Sequence, residues 1–198
     1  TDFGDDGTVQ IEPGLALRWP GEFQITSAPA IAGDVVITGT AIGDNLRTDA
    51  PVGTVHAYDT RSGALLWTFN PIPWSQSENR ERVGHANVWS TMSVDTKRNL
   101  VFLPTSTASP DYFGGARPGN NEQENSVVAL AAKTGRLVWA RQLVHHDVWD
   151  YDLPAQPGLY EIWRNGSVHE VVVQVTKMGL IFVLDRVTGE PFHPIEER

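Results

Sequence analysis

Short β-branched and apolar runs, each closed by Gly, Pro, Asp or Asn, recur along the chain, while helical periodicity is scarce. The clearest runs cover residues 33–39, 99–104, 126–130, 170–175 and 179–185. Apolar stretches of this length bounded by turn formers predict strands, so the expected fold is all-β. One unit repeats. Ala57-Tyr58-Asp59-Thr60-Arg61-Ser62-Gly63-Ala64-Leu65-Leu66-Trp67 is answered by Ala129-Leu130-Ala131-Ala132-Lys133-Thr134-Gly135-Arg136-Leu137-Val138-Trp139. A third copy, Val183-Leu184-Asp185-Arg186-Val187-Thr188-Gly189-Glu190, ends without the tryptophan. Each copy reads as a strand, a tight turn ending in Gly and a second strand. Glycine takes the positive φ the turn requires, and Trp67 and Trp139 are expected to be structural, closing the apolar face. Asp59 and Asp185 are expected to support their turns. Repeated hairpin-plus-Trp units predict radially stacked sheets: a partial β-propeller of four-stranded antiparallel blades, forming one segment over 1–198 with no linker or second domain.

The copies are spaced more widely than a minimal four-stranded blade needs. The excess falls in two polar stretches, residues 70–87 and 105–124, which read as long surface loops of the kind that carry function. The 198 residues are 40% hydrophobic and 20% charged, as in ordinary globular proteins. The net charge of −9 repels phosphate backbones and argues against nucleic acid as a partner. With no cysteine, disulfides and thiolate metal sites are excluded, which fits a periplasmic protein and a cytosolic one almost equally. No apolar run approaches the roughly 18 residues needed to cross a bilayer. The chain opens on Thr1-Asp2-Phe3 without a methionine or a leader-like stretch, so it is expected to begin inside a longer gene product.

Several polar residues stand out from this background. Asp150 and Asp152 alternate within a possible strand and would share one face, either as a solvated edge or as a functional pair. Lys177 interrupts an apolar run between Val175 and Leu180, as an edge-strand gatekeeper or a buried functional ammonium. His145, His146 and Asp147 suggest a metal site, but adjacent histidines in an extended segment point opposite ways, which is poor geometry for one ion.

The run His145-His146-Asp147-Val148-Trp149-Asp150-Tyr151-Asp152-Leu153-Pro154-Ala155-Gln156-Pro157 closely resembles a signature of the membrane-bound pyrroloquinoline quinone (PQQ) dehydrogenases of the glucose/quinate/shikimate group. Gly43-Asp44-Asn45, Asn87-Val88-Trp89-Ser90, Ser109-Pro110-Asp111-Tyr112-Phe113-Gly114-Gly115 and the ending at residues 177–186 follow in that family's order, so the resemblance covers nearly the whole chain. It implies a segment, about half, of an eight-bladed propeller. It implies Asp150 as catalytic base, Lys177 as the cation at the quinone carbonyls and Trp89 as the plate against the PQQ ring. Thr26 and Asn45 would bind cofactor, and Asp44, Asn45 and Asp150 a Ca²⁺ or Mg²⁺ ion. One departure concerns the metal. Where many alcohol-oxidising relatives carry Thr-Gly-Asn, this chain reads Thr105-Ser106-Thr107, which leaves the ligand set open. The implied reaction is oxidation of a sugar or polyol hydroxyl by hydride transfer to the quinone, with electrons passed to membrane ubiquinone. The implied setting is the periplasm, in a parent anchored in the inner membrane. The isolated segment is expected to be inactive, its strand edges needing the rest of the propeller or a second copy. A cofactor-free propeller scaffold for protein binding is the alternative, but it gives no reason for Trp89, Asp150 and Lys177 together.

Overall fold

A computed structural model describes residues 2–14, 16–43, 45–47, 49–72, 84 and 86–197. Among these residues thirteen strands form three antiparallel sheets and one short ribbon. The ribbon pairs β1 (Phe23–Gln24) with β4 (Ala41–Ile42). The first sheet runs β2 (Ala30–Ala32), β3 (Val35–Thr38), β5 (Val55–Asp59), β6 (Leu65–Phe69). The second runs β7 (Ser93–Asp95), β8 (Leu100–Pro104), β9 (Ser126–Ala131), β10 (Leu137–Gln142). The third holds β11 (Gly158–Arg164), β12 (Ser167–Val175) and β13 (Ile181–Asp185). Each sheet is an up-and-down meander, as the repeat predicts, and the fold is a partial propeller. Among the described residues the third repeat makes no fourth strand; beyond its turn the one bridge is from Pro191 back to Leu184.

Alternation along the strands builds two cores with the second sheet between them. On β8 and β9, Val101, Leu103, Val128 and Leu130 face the first sheet, joining Ile37, Val55, Trp67 and Phe69. Leu100, Phe102, Val127 and Ala129 face the third sheet, joining Trp139, Leu153, Val172 and Leu184. A strand buried on both faces cannot alternate apolar with polar, which is why 99–104 and 126–130 read as continuous apolar runs.

The repeat also couples one sheet to the next. Trp67 Nε1 donates to Ala132 O of the second sheet's turn at 2.9 Å, and Trp139 Nε1 to Arg186 O of the third at 3.3 Å. Gly135 and Gly189, at φ +68° and +72°, lie under those indoles, and an added Cβ would sit 2.7 and 2.6 Å from a ring atom. The glycine thus serves the turn and the neighbouring tryptophan at once. Asp59 and Asp185 support their turns as expected: each Oδ1 accepts two backbone N–H groups and one hydroxyl. A charged cluster of Asp95, Arg98, Glu170 and Arg186 bridges the second and third sheets.

Of the two expected surface loops, most of 70–87 lies outside the described residues. The stretch 105–124 departs from expectation in part. Thr105, Ser106, Thr107, Ser109, Asp111, Arg117, Asn121 and Glu124 are all buried. Its buried polar groups bond to one another and to backbone, while Tyr112, Phe113, Gly115, residues 118–120 and Glu122 are exposed, so the stretch is a surface loop along part of its length and an internal network along the rest.

Candidate cofactor site

Topology gathers most of the candidate residues. In a four-stranded meander, the segment leading into the first strand and the link between the second and third strands emerge at the same end of the sheet. Thr26, Trp89 and Asp150 lie in the segments leading into β2, β7 and β11, and Asn45 and Lys177 in the β3–β5 and β12–β13 links. All five therefore belong to one rim, opposite the Gly-Trp turns. Asp44 lies outside the described residues.

Three of these segments are tied together. Thr26 Oγ1 donates to Trp89 O at 3.1 Å, and Ser90 Oγ to Pro154 O at 2.8 Å. Gln156 Nε2 donates to Met92 O at 3.1 Å. The backbone before Trp89 lies directly on Gly39, where a Cβ would come within 2.1 Å of Val88 O. Trp89 is half-buried, and its Nε1 donates to Asp152 Oδ2 at 3.1 Å. Lys177 Nζ donates to Asp150 O at 3.0 Å and Asp150 Oδ1 at 3.1 Å, and reaches Asp152 Oδ2 at 3.4 Å. The indole, the ammonium and both carboxylates form one cluster.

The electrostatics follow from that crowding. Burial raises the Asp150 pKa, the Asp152 charge adds to the rise, and Lys177 opposes it. Burial alone would lower Lys177, but Asp152 and Asp150 outweigh it and leave the ammonium's pKa raised. The result is a charged lysine beside a carboxylate of increased proton affinity.

Two local expectations are corrected. Asp150 and Asp152 do not sit on a strand: the 143–157 segment is irregular, and Asp150 has φ +61°. Asp152 is not a solvated edge either, being 4% exposed. Lys177 lies in the turn joining β12 to β13, closed by Gly179 at φ +75°. Both departures from strand geometry share a cause: residues at positive φ break the extended periodicity that the side-chain pattern alone suggests.

Sequence reasoning missed the network beneath. Asp147 is buried; its Oδ1 accepts from Trp149 N at 2.9 Å, and its Oδ2 accepts from Tyr151 N at 2.6 Å, Asn125 Nδ2 at 3.0 Å and Thr107 Oγ1. Arg117 donates to the carbonyls of Pro110, Asp111 and Asp147 and to Asn121 Oδ1. The histidines diverge as anticipated, His145 to Glu197 and His146 Nδ1 to Gly119 O.

These residues fit a planar, anionic, carbonyl-bearing ligand: a partly exposed indole face, an adjacent ammonium and the Thr26 hydroxyl nearby. They fit a hard cation less well. Among the described residues no three His, Asp or Glu side chains gather as a metal site, and Asn45 is an exposed side chain at φ +55°.

Comparison with known proteins gives a consistent result. Residues 1–198 match the family described as PQQ: glucose/ethanol/alcohol dehydrogenase, beta-propeller domain. The chain is 41% identical to the quinate/shikimate dehydrogenase (quinone) of Acinetobacter baylyi, over 100% of this chain and 25% of that protein. It is 36% identical to the quinoprotein glucose dehydrogenase of Escherichia coli, over 99% of this chain and 25% of that one. Among solved structures, a quinohemoprotein alcohol dehydrogenase from Pseudomonas putida superposes with TM-score 0.77 at 26% identity, covering 86% of this chain and 27% of that chain. The chain spans about a quarter of the length of the curated relatives it matches.

Proposed function

The chain belongs to the PQQ glucose/ethanol/alcohol dehydrogenase β-propeller family, and from that premise we propose that it carries the cofactor plate and catalytic base of a dehydrogenase oxidising a sugar or polyol hydroxyl of the glucose or quinate type. The observation that supports this is the convergence of Trp89, Asp150 and Lys177 from three separate segments onto one rim. When bound, PQQ supplies the two-electron acceptor for hydride leaving the alcohol carbon. The chain's own residues do the rest. Trp89 offers an aromatic face that fixes a ring plane and excludes water, a stacking contribution of about 0.5–1.5 kcal/mol beyond burial. Lys177 holds a positive charge where carbonyl oxygens become electron-rich. Asp150, with its raised proton affinity, takes the hydroxyl proton as the C–H bond breaks.

A divalent ion, Ca²⁺ or Mg²⁺, with Asp44, Asn45 and Asp150 as the oxygen donors the family resemblance implies, is part of the same proposal, but the described residues do not gather a site for it and no step is derived from it. Ubiquinone as electron acceptor, a periplasmic setting and a membrane anchor elsewhere in the parent are part of the same proposal. Titration of the protein, expressed from its full coding sequence, with PQQ and Ca²⁺ or Mg²⁺ tests it through tryptophan fluorescence. Saturable quenching that Trp89→Ala abolishes is expected. No quenching in the unaltered protein would overturn the dehydrogenase reading in favour of a scaffold.

A further inference from the structure

We infer that Asp152 is a positioning residue: it locks the Trp89 indole and the Lys177 ammonium into one rigid frame, leaving Asp150 free for the chemistry. The inference rests on the function proposed above.

Each oxygen of Asp152 is already engaged. Oδ1 accepts from Thr107 N at 2.7 Å; Oδ2 accepts from Trp89 Nε1 at 3.1 Å and faces Lys177 Nζ at 3.4 Å. At 4% exposed and with both oxygens occupied, this carboxylate is poorly placed to take a substrate proton. Its donors come from three parts of the chain: the segment leading into β7, the β8–β9 link and the β12–β13 turn. An indole fixed at its N–H cannot turn over about its side-chain bonds without leaving a buried carboxylate oxygen short of its donor. The plane of the ring and the position of the ammonium are therefore set by the same group.

The frame is anchored below. Thr107 binds both carboxylates that flank Asp150, through its backbone N–H to Asp152 and through its hydroxyl to Asp147. Asp147 in turn collects the amides of Trp149 and Tyr151, the two residues on either side of Asp150. Asp150, at φ +61°, is thus held at the crest of a turn pinned at both ends. Its carboxylate meets Lys177 but is spared the work of holding the plate.

The test is a double-variant cycle in the protein expressed from its full coding sequence. Asp152→Asn keeps the shape but sets an amide N–H₂ against the Thr107, Trp89 or Lys177 donor, whichever way the amide faces. Trp89→Phe keeps a ring and removes the indole N–H. Asp152→Asn is expected to weaken PQQ binding about tenfold and to lower kcat, with the KM for the alcohol within about twofold, because Asp152 does not meet the substrate. The double variant is expected to bind PQQ no more weakly than Asp152→Asn alone. Effects that multiply in the double variant, or an Asp152→Asn protein with unchanged PQQ affinity, would overturn the frame. The same cycle read by urea unfolding without cofactor separates the two ideas. If the unaltered protein fails to bind PQQ, the function falls, yet non-additive unfolding midpoints would still support the link and additive ones would refute it.

Discussion

Glu124 is a carboxylate that the fold holds in its protonated form near neutral pH. It is buried in the β8–β9 link, where its Oε2 meets Ala108 N at 3.2 Å. Burial pushes its pKa to about 8, with the charges of Asp147 and Asp111 adding to the rise and Arg117 and the Ala108 amide opposing it. In the unfolded chain it titrates near 4.5. Between those values the native state binds the extra proton, so stability is fully present below the unfolded pKa and is lost as pH rises towards about 8. Glu124→Gln, neutral throughout, removes this slope. The variant should gain on the unaltered protein by a few kcal/mol in urea unfolding at pH 8.5, and by little at pH 4.5. An equal difference at both pH values would exclude the titration. Asp150 makes a different prediction at the same scale. Asp150→Asn removes the proposed base while keeping the side chain's size, so kcat should fall by about 10²–10⁴. PQQ affinity, read by tryptophan quenching, should change only a few-fold. A variant with normal turnover would send the search for a base elsewhere.

At the level of the element, the Gly-Trp contact between neighbouring sheets is the most exacting feature. Gly135 has φ +68° and lies against Trp67, leaving no room for a methyl group. Gly135→Ala combines a left-handed backbone penalty of about 1–2 kcal/mol with displacement of the indole from Ala132 O. A total loss of roughly 2–4 kcal/mol in chemical unfolding is expected. Gly119→Ala, also at positive φ but with open space around its Cβ, should cost only the backbone part. This turn was legible in the sequence because the glycine, the tryptophan and their spacing all recur. The strands were legible too, since β-branched runs with turn formers at their ends leave few alternatives. The cluster at the rim was legible only as a list of residues, through the family resemblance. Asp152 looked like a solvated edge because Trp89, Thr107 and Lys177, which bury it, are distant in sequence. The buried part of the 105–124 link was not legible because nothing in a polar composition says whether its groups bond to water or to each other. Local pattern encodes strands and turns; it does not encode which distant donors will meet a given carboxylate.

For the whole molecule, the decisive fact is that the rim site is assembled from three sheets, the last of which, among the described residues, presents the β13 edge. Among the described residues β13 pairs along its length with β12 and on its other side meets only the Leu184–Pro191 bridge and the Phe192 N–Val183 O bond; Leu180 and, on β13 itself, Ile181 are exposed. Trp149, Tyr151, Met178 and Ile181 line an open groove of about 590 Å³ on that side. A strand edge left largely unpaired and flanked by apolar side chains is a template for pairing with another strand or sheet. Lys177 and Asp150 stand next to this edge, so the geometry at the base depends on what closes it. The only cation hydrogen-bonded in the rim cluster among the described residues is Lys177, while PQQ carries three carboxylates that need further donors. Both considerations predict that the 198-residue chain, purified by itself and supplied with PQQ, Ca²⁺ and glucose or quinate, reduces no dye above the blank. The protein expressed from its full coding sequence should turn over under the same conditions. Dye reduction by the short chain would mean that three sheets suffice to hold the base, the plate and the ammonium in register, and that the exposed β13 edge is no obstacle to chemistry.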